Sequence, residues 1–402
     1  MAAVSAGLLG LAGCDTKPKQ DHAVDDWSSH DSATDSEARA RADEATAQHQ
    51  PRSARVGRLG SAHSLGAAHT VDRVTVHAVF ADSPRDVGAM MPLSLAIERG
   101  YAVVREMDAE GDPTTVAPTQ PSEARSDRPA TVGTLVIENR GAIPILVLAG
   151  TLVVGGKQDR QVGEDLVLAP GKSADIQVYC VEQGRWADDR AGQETKGRFQ
   201  VASLLTPSII RSAAEYDGDQ HRVWDLVASL NAEHNTSTPS GTFLGAVDNS
   251  SFRTQRQAIA VKLARELDGD RNEMVGLAYG VGGEVRGVKW FASPRLFAQF
   301  ESTLLETAAF EALTIPAKSQ SAPSAQGYLS LVGDLEPRAP VDSGEASARI
   351  SSSNLGHSST LSADVEVDKD GNTRRFREVI TVDFVPASAD YNRFNQRPIE
   401  DP

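Results

Sequence analysis

Residues 143–160 read IPILVLAGTLVVGGKQDR, and residues 175–186 read DIQVYCVEQGRW. Each stretch begins with aliphatic residues typical of a buried strand and ends in a short polar run. The link between them contains Pro170-Gly171, a strong turn signal, and is too short for the helical crossover that parallel strands require. We therefore expect an antiparallel pairing that brings both polar ends together at one edge of a sheet.

Outward from this pair, the sequence alternates between the two periods of regular structure. Strand-like patterns occur at 70–80, 101–106, 133–138, 165–168, 274–279, 284–291, 361–367 and 374–384. Apolar residues recur at helical spacing in 92–100, 219–230, 251–267 and 293–308. The sequence predicts the α+β class, with an antiparallel β-sheet or sandwich and helices packed on one side.

Composition divides the chain into four segments. Residues 1–14 are a short apolar run ending in cysteine, and residues 15–69 are mostly polar and charged, which predicts a disordered tether. Residues 70–320 contain most of the strand and helix patterns and predict one folded domain. Residues 321–402 predict a low-complexity linker, a β-hairpin and a C-terminal tail.

The N-terminal run ends in Leu11-Ala12-Gly13-Cys14, which looks like a bacterial lipobox. In that pattern the Cys14 sulfur receives a diacylglycerol, and the preceding signal peptide is removed. The expected product is a lipoprotein of the bacterial cell envelope, anchored to a membrane and facing outside the cytoplasm. No Lys or Arg precedes the apolar run, so either the true start lies upstream or the match is accidental.

The charge balance and the absence of known motifs narrow the function classes. The formal net charge of -15, with no Lys/Arg run, argues against a nucleic-acid partner. The nine histidines show no metal-binding spacing, and no nucleotide-binding or nucleophile-elbow motif occurs, so we expect neither a metal nor a cofactor. The chain has two cysteines, so if Cys14 is lipidated, Cys180 has no partner for a disulfide within the chain.

The first polar run is a candidate anion site. Lys157, Gln158 and Arg160 follow a glycine pair, so cationic side chains and backbone amides could approach one phosphate or carboxylate group. The alternative is structural, with Lys157 and Arg160 paired to nearby acidic residues such as Glu164, Asp165 or Glu182.

The second polar run offers two groups for catalysis. Cys180 would act as nucleophile if a cation lowered its thiol pKa, and Glu182 would act as acid or base. Arg185 and Trp186 would contact the ligand. The alternatives are a core cysteine, a buried ion pair and an aromatic residue that covers the core.

In order and spacing, the two runs resemble the signature of the ARG and Rhodanese-Phosphatase-superfamily-associated domain family, Gly-x-Lys-Gln-x-Arg followed by Cys-Val-Glu-x-Gly-Arg-Trp. The segments 221–224 and 276–291 are similar to later blocks of that family, so the resemblance covers roughly residues 85–315. By analogy with ADP-ribosylglycohydrolases, with which the family is associated, it implies a nucleotide-derived ligand. Three hypotheses follow: a module that binds a small anion, an enzyme acting on a nucleotide or ADP-ribose derivative, and a structural scaffold.

Overall fold

The computed structural model describes residues 53–106, 133–185, 189–190, 193–194, 198–316, 321–335, 347–369 and 372–387. The chain divides into the units Met1–His49 and Gln50–Pro402, and all the described residues belong to the second. The predicted signal peptide with Cys14, most of the predicted tether and Trp186 lie outside the described residues.

The strands of the described part follow in chain order. They are β1 (Gly57–Leu59), β2 (His63–Val71), β3 (Val74–Ala81), β4 (Met91–Pro92), β5 (Ala102–Glu106), β6 (Thr134–Asn139), β7 (Ile145–Val147), β8 (Thr151–Gly155), β9 (Arg160–Val162), β10 (Leu166–Leu168), β11 (Ser173–Cys180), β12 (Asp189–Arg190), β13 (Gln193–Glu194), β14 (Phe199–Leu205), β15 (Met274–Val281), β16 (Glu284–Phe291), β17 (Ser347–Ser352), β18 (Gly356–Lys369) and β19 (Asn372–Pro386).

The α-helices lie mainly in the second half of the chain. They are α1 (Leu93–Glu98), α2 (Ser208–Glu215), α3 (Gln220–Glu233), α4 (Leu244–Val247), α5 (Ser250–Glu266), α6 (Pro294–Phe297), α7 (Glu301–Thr314) and α8 (Ala325–Asp334). None of the described helices is long and apolar enough to cross a membrane.

Two large curled sheets organise the domain. The first has the order β1-β2-β3-β15-β16-β19-β18-β17, and every neighbouring pair is antiparallel. The second has the order β14-β8-β9-β11-β6-β5 and is also antiparallel. A smaller sheet, β10-β7-β4, contains the parallel pair β4–β7.

Apolar residues form layers on both faces of the two sheets. Helices α5, α6 and α7 pack on one face of the eight-stranded sheet, and α8 packs on the other through Tyr328, Leu331 and Val332. The six-stranded sheet has α2, α3 and α4 on one face and α1 on the other. The predicted α+β class with antiparallel sheets is therefore confirmed.

Some local elements differ from the prediction for tertiary reasons. The predicted strand 143–154 divides into β7 and β8 at Gly150, whose φ of +80° turns the chain into a different sheet. A Cβ at that position would lie 2.9 Å from Arg211 Cδ, so glycine is required there. Strand β1 and most of β2 lie in the predicted tether. They are ordered because β1 pairs with β2, β2 pairs with β3, and Leu59 and Leu65 are fully buried.

Two of the helices also differ from the prediction. The predicted helix 293–308 is divided into α6 and α7, and the Ser293 side chain caps α6 by accepting from Leu296 N–H. Helix α8 lies in the predicted linker, because its apolar residues cover the outer face of the eight-stranded sheet.

Candidate functional site

The two polar runs lie together at one end of strands β9 and β11. Cys180 is the register partner of Arg160 in this antiparallel pair. Just beyond the pair, Val181 N–H donates to Asp159 O at 2.9 Å. The structure thus places the turn from Gly155 to Asp159 against the segment from Cys180 to Arg185. The predicted direct pairing of 143–154 with 175–181 is wrong, because β9 lies between β8 and β11 and pairs with both. Direct antiparallel pairing would have placed the two polar ends at opposite ends of the strands.

The glycine pair sets the shape of the first run. Gly155 has a φ of +132° and Gly156 a φ of +52°, backbone conformations that favour glycine. A Cβ on Gly155 would lie 2.1 Å from Arg198 O, and one on Gly156 would lie 2.3 Å from Phe199 Cζ and 2.8 Å from Glu106 Oε1. Both positions therefore require glycine, and the second lets a carboxylate approach the turn.

That carboxylate belongs to Glu106, the last residue of β5. Its Oε1 accepts from Lys157 N–H at 2.8 Å and from Arg160 Nη1 at 3.0 Å. Its Oε2 lies 3.6 Å from Lys157 Nζ. We call Gly155, Gly156, Lys157 and Arg160 the anion cradle, since their donors and close backbone surround one carboxylate.

Arg185 joins the second run to the turn through a buried ion-pair network. Its Nε and Nη2 donate to Glu182 Oε2 at 3.0 and 2.8 Å, and its Nη1 donates to Gly156 O at 2.6 Å. Glu182 Oε2 also accepts from Asp159 N–H at 3.0 Å. Asp159 in turn accepts from Gly155 N–H at 3.2 Å and from Thr242 Oγ1 at 2.7 Å. Burial disfavours the Glu182 carboxylate, but the hydrogen bonds from Arg185, Ser240 and Asp159 N–H together with the Arg185 charge outweigh it and keep its pKa low.

Cys180 and Gln158 complete the network. The Cys180 thiol donates to Gln158 Oε1 at 3.0 Å, and Gln158 Nε2 donates to Glu182 O at 2.9 Å. The Gln220 side chain accepts from Cys180 N–H and donates to Cys180 O, each at 2.8 Å. It thus replaces the backbone of a neighbouring strand at this residue. Burial raises the pKa of the Cys180 thiol, and the nearby Arg160 charge only opposes this in part. The thiol is therefore protonated at neutral pH.

The predicted site residues differ sharply in exposure. Lys157 is at the surface, with 39% of its side chain exposed. The others in the described residues are buried: Gln158, Arg160, Cys180, Glu182 and Arg185. Trp186 lies outside the described part, so its predicted ligand contact stays a prediction.

Sequence reasoning missed Glu106, Asp159, Thr242 and Gln220 as members of this network. It expected nearby acids to pair with Arg160, but Glu106 is 54 positions away. Asp165, one of the expected partners, lies 2.8 Å from Lys289 Nζ instead. Asp159 lies in the first polar run itself. No local pattern marks Glu106, Thr242 and Gln220, because they lie on a distant strand, in a loop and at the start of α3, and only the tertiary fold brings them to the site. Within the described residues, no group of three or more His, Cys, Asp or Glu side chains is arranged to hold a metal ion.

Comparison with known proteins gives one match. The family model for the ARG and Rhodanese-Phosphatase-superfamily-associated Protein domain matches residues 62–369, a longer range than the motifs alone indicated. This range includes both polar runs and most of the two large sheets. No curated protein matches the chain, and no solved structure matches it.

Proposed function

The chain belongs to the ARG and Rhodanese-Phosphatase-superfamily-associated protein domain family, and we propose that its domain binds a small anionic ligand at the anion cradle. The supporting observation is the Glu106 carboxylate, which accepts hydrogen bonds from Lys157 N–H and Arg160 Nη1. A carboxylate and a phosphate group use the same charge-assisted donors. The cradle therefore has the chemistry to bind the phosphate of a nucleotide-like ligand in place of Glu106.

Charge balance requires the ligand to displace Glu106 rather than to bind beside it. Among the described network residues, three cations (Lys157, Arg160 and Arg185) face three carboxylates (Glu106, Asp159 and Glu182). A further anion would add unbalanced negative charge to a largely buried site, at a substantial desolvation cost. Glu106 is 17% exposed and Lys157 is exposed, so both can move towards solvent when a ligand enters.

The remaining predicted ligand residues have a supporting role in this proposal. Arg185 is held by Glu182 and by Gly156 O, and Gln158 spans Cys180 and Glu182. These contacts fix the turn in the geometry that presents the Lys157 N–H group. We therefore assign Arg185 and Gln158 to positioning the cradle, and Lys157 and Arg160 to contacting the anion.

Replacing Glu106 with glutamine tests the proposal directly. We expect Glu106→Gln to bind inorganic phosphate about tenfold more tightly than the unmodified protein, since the competing internal charge is gone. Isothermal titration calorimetry with phosphate, and then with ADP-ribose, measures the change. Glu138→Gln, which removes a carboxylate paired with Arg140 on neighbouring strand β6, is the matched control and should leave the affinity unchanged.

A different result would favour the scaffold hypothesis. If Glu106→Gln lowers the melting temperature and phosphate binds neither protein, the cradle serves only to hold its own glutamate. The enzyme hypothesis, with Cys180 as nucleophile and Glu182 as acid or base, stays a prediction. The Cys180 thiol is protonated and donates to Gln158, so the described contacts provide no activated nucleophile.

The proposal includes attachment to a bacterial membrane through Cys14, with the domain facing outside the cytoplasm. It is supported by the sequence Leu11-Ala12-Gly13-Cys14 and the polar segment that follows. We expect Cys14→Ser to move the protein from the membrane fraction to the soluble fraction of the bacterial host, since acyl chains supply the anchor. Cys180→Ser is the matched control and should stay with the membrane. Equal fractionation of the Cys14→Ser variant and the unmodified protein would contradict the anchor.

A further inference from the structure

A second group of buried polar residues lies away from the anion cradle, where the eight-stranded sheet faces α2. Lys289, Asp383 and Ser359 form a row across strands β16, β19 and β18, because Lys289 is the register partner of Asp383 and Asp383 that of Ser359. Directly paired residues of antiparallel strands share one face of the sheet. The flanking residues of Lys289 and Asp383 pack towards α8, so the row faces the opposite way, into the interior.

Helix α2 supplies the other side of this polar group. Glu215 is four residues after Arg211 and three after Ser212, so it lies beside both on the helix surface. Arg211 Nη2 lies 3.4 Å from Asp383 Oδ2, which places this part of the helix surface against the row. Lys289 Nζ lies 2.8 Å from Asp165 Oδ2, which also accepts from Thr381 Oγ1 at 2.5 Å. The charged members are thus paired.

These ion pairs still leave several buried atoms of the same group without a hydrogen bond. Seven buried side-chain atoms here make no hydrogen bond with any described residue: Glu215 Oε1 and Oε2, Ser212 Oγ, Tyr216 Oη, Ser359 Oγ, Asp383 Oδ2 and Arg211 Nε. Glu215 and Ser359 are each only 2% exposed. Native proteins leave few buried polar atoms unpaired, since each costs about 1–3 kcal/mol. Seven in one place indicate that another molecule completes their hydrogen bonds.

We propose that this group, named here the Glu215 cluster (Arg211, Ser212, Glu215, Tyr216, Ser359 and Asp383), is a binding site for a small, neutral molecule with several hydroxyl groups. Three of the unsatisfied groups are hydroxyls, which both donate and accept. Asp383 Oδ2 accepts, and Arg211 Nε donates. The hydroxyl groups of a sugar or polyol both donate and accept hydrogen bonds, so such a molecule could satisfy these donors and acceptors together.

The charges of the cluster favour a neutral ligand. Lys289 and Arg211 are offset by Asp165 and Asp383, so the site holds no uncompensated cation to attract an anion. Burial, together with the negative charges of Asp383 and Asp165, raises the pKa of Glu215 to about 8. At neutral pH its carboxyl group is therefore mostly protonated and carries one more O–H donor. A charged ligand would lack a counterion here.

Tyr216 extends from the cluster to the protein surface. Its hydroxyl is buried, whereas the residue as a whole is partly exposed. The Tyr216 ring stacks on the ring of His357, with centroids 4.6 Å apart and an interplanar angle of 13°. His357 lies on β18, two residues before Ser359. Movement of this aromatic pair would open the cluster at the end of α2.

Two variants that each remove one unsatisfied hydroxyl test the site. The probes are ribose, glucose, myo-inositol and glycerol, measured at pH 7 by titration calorimetry on the whole protein. We expect at least one of them to bind, and Ser359→Ala and Tyr216→Phe each to weaken that binding about tenfold. Neither variant should lower the melting temperature of the free protein, because the lost hydroxyl has no partner within the described chain.

Two control variants establish whether the probe binds at the Glu215 cluster. Ser358→Ala removes a buried hydroxyl from the residue that precedes Ser359 on β18. That hydroxyl donates to Leu335 O, and its removal should leave the affinity for the probe unchanged. Glu106→Gln, which changes the carboxylate held by the anion cradle, should also leave the affinity for the probe unchanged. The two proposed sites are therefore tested independently of each other. The proposal is overturned if no probe binds at millimolar concentration. It is also overturned if both hydroxyl variants destabilise the free protein, because the hydroxyls would then bind ordered water alone.

Discussion

Replacing Arg160 with leucine should lower the free energy of unfolding by about 3–5 kcal/mol, because it removes one partner of a buried ion pair. Arg160 is 1% exposed, and its guanidinium donates to Glu106 Oε1 at 3.0 Å. Without it, the Glu106 carboxylate keeps only the Lys157 contacts described above. Urea unfolding followed by circular dichroism gives the change, provided that the denaturant slope stays constant.

The matched control is Lys157→Leu, which removes the other cation that faces Glu106. The Lys157 side chain is 39% exposed, and its ammonium group lies 3.6 Å from Glu106 Oε2. Exposed ion pairs of this kind contribute less than about 1 kcal/mol. We expect that variant to unfold at nearly the same urea concentration as the unmodified protein. If both variants lose the same free energy of unfolding, burial of Arg160 does not determine the strength of the Arg160–Glu106 pair.

A double variant measures whether the pair itself stabilises the fold. Replacing both partners of a buried ion pair with apolar residues is often neutral, since no unpaired charge remains. Glu106→Leu combined with Arg160→Leu should therefore recover much of the stability that Arg160→Leu loses. If the double variant is as unstable as the single one, the cradle needs its charges for a structural reason beyond mutual compensation.

Replacing Glu215 with glutamine should have the opposite effect and stabilise the protein at alkaline pH. The pKa of Glu215 is raised from 4.5 to about 8, first by burial and then by Asp383 and Asp165, while Lys289 and Arg211 oppose the shift. Tyr216 is the other titratable group beside it, and its own pKa is raised by burial. Glutamine keeps the shape of the side chain and cannot ionise.

The sign of this effect follows from proton linkage. Below pH 4.5, Glu215 is protonated in both the folded and the unfolded state, so its contribution to stability is fully present. Between pH 4.5 and 8 the unfolded chain loses this proton while the folded chain keeps it, so stability falls as pH rises. A shift of this size corresponds to a loss of about 5 kcal/mol, which is complete above pH 8.

Unfolding free energies measured from about pH 4.5 to about pH 8.5 test the prediction. The difference between Glu215→Gln and the unmodified protein should grow with pH across this range, in favour of the variant. Glu233→Gln, on the exposed side of α3, is the matched control and should follow the unmodified protein at every pH. A difference that does not change with pH would mean that Glu215 has an ordinary carboxyl pKa in the folded state.

Much of the secondary structure could be predicted because its signals are local. The hairpin of β15 and β16 follows from apolar alternation on both sides of a glycine-rich turn, in which Gly282 and Gly283 adopt positive φ. The cap of α6 at Ser293 follows in the same way from a serine before a proline. The pairing of β9 with β11 did not follow from such signals, because β9 has only three residues, two of them polar, and shows no strand pattern.

The divided strand at Gly150 could not be predicted from local patterns. The run from Ile143 to Val154 contains no charged interruption, so its sequence pattern is that of one strand. The break occurs where Gly150 turns the chain with a φ of +80°, and the Arg211 side chain lies 2.9 Å from the position that a Cβ would take there. Arg211 lies on α2, which the sequence pattern did not predict, so the conflict was visible only after folding.

The sequence by itself determined the family and the α+β class, since periodicity, turn residues and motif spacing are properties of neighbouring residues. Only the tertiary structure decided that Glu106 occupies the anion cradle and that Lys289, Asp383 and Ser359 align opposite α2. These contacts join residues far apart in the chain. They depend on strand register and sheet order, which single-sequence patterns do not specify.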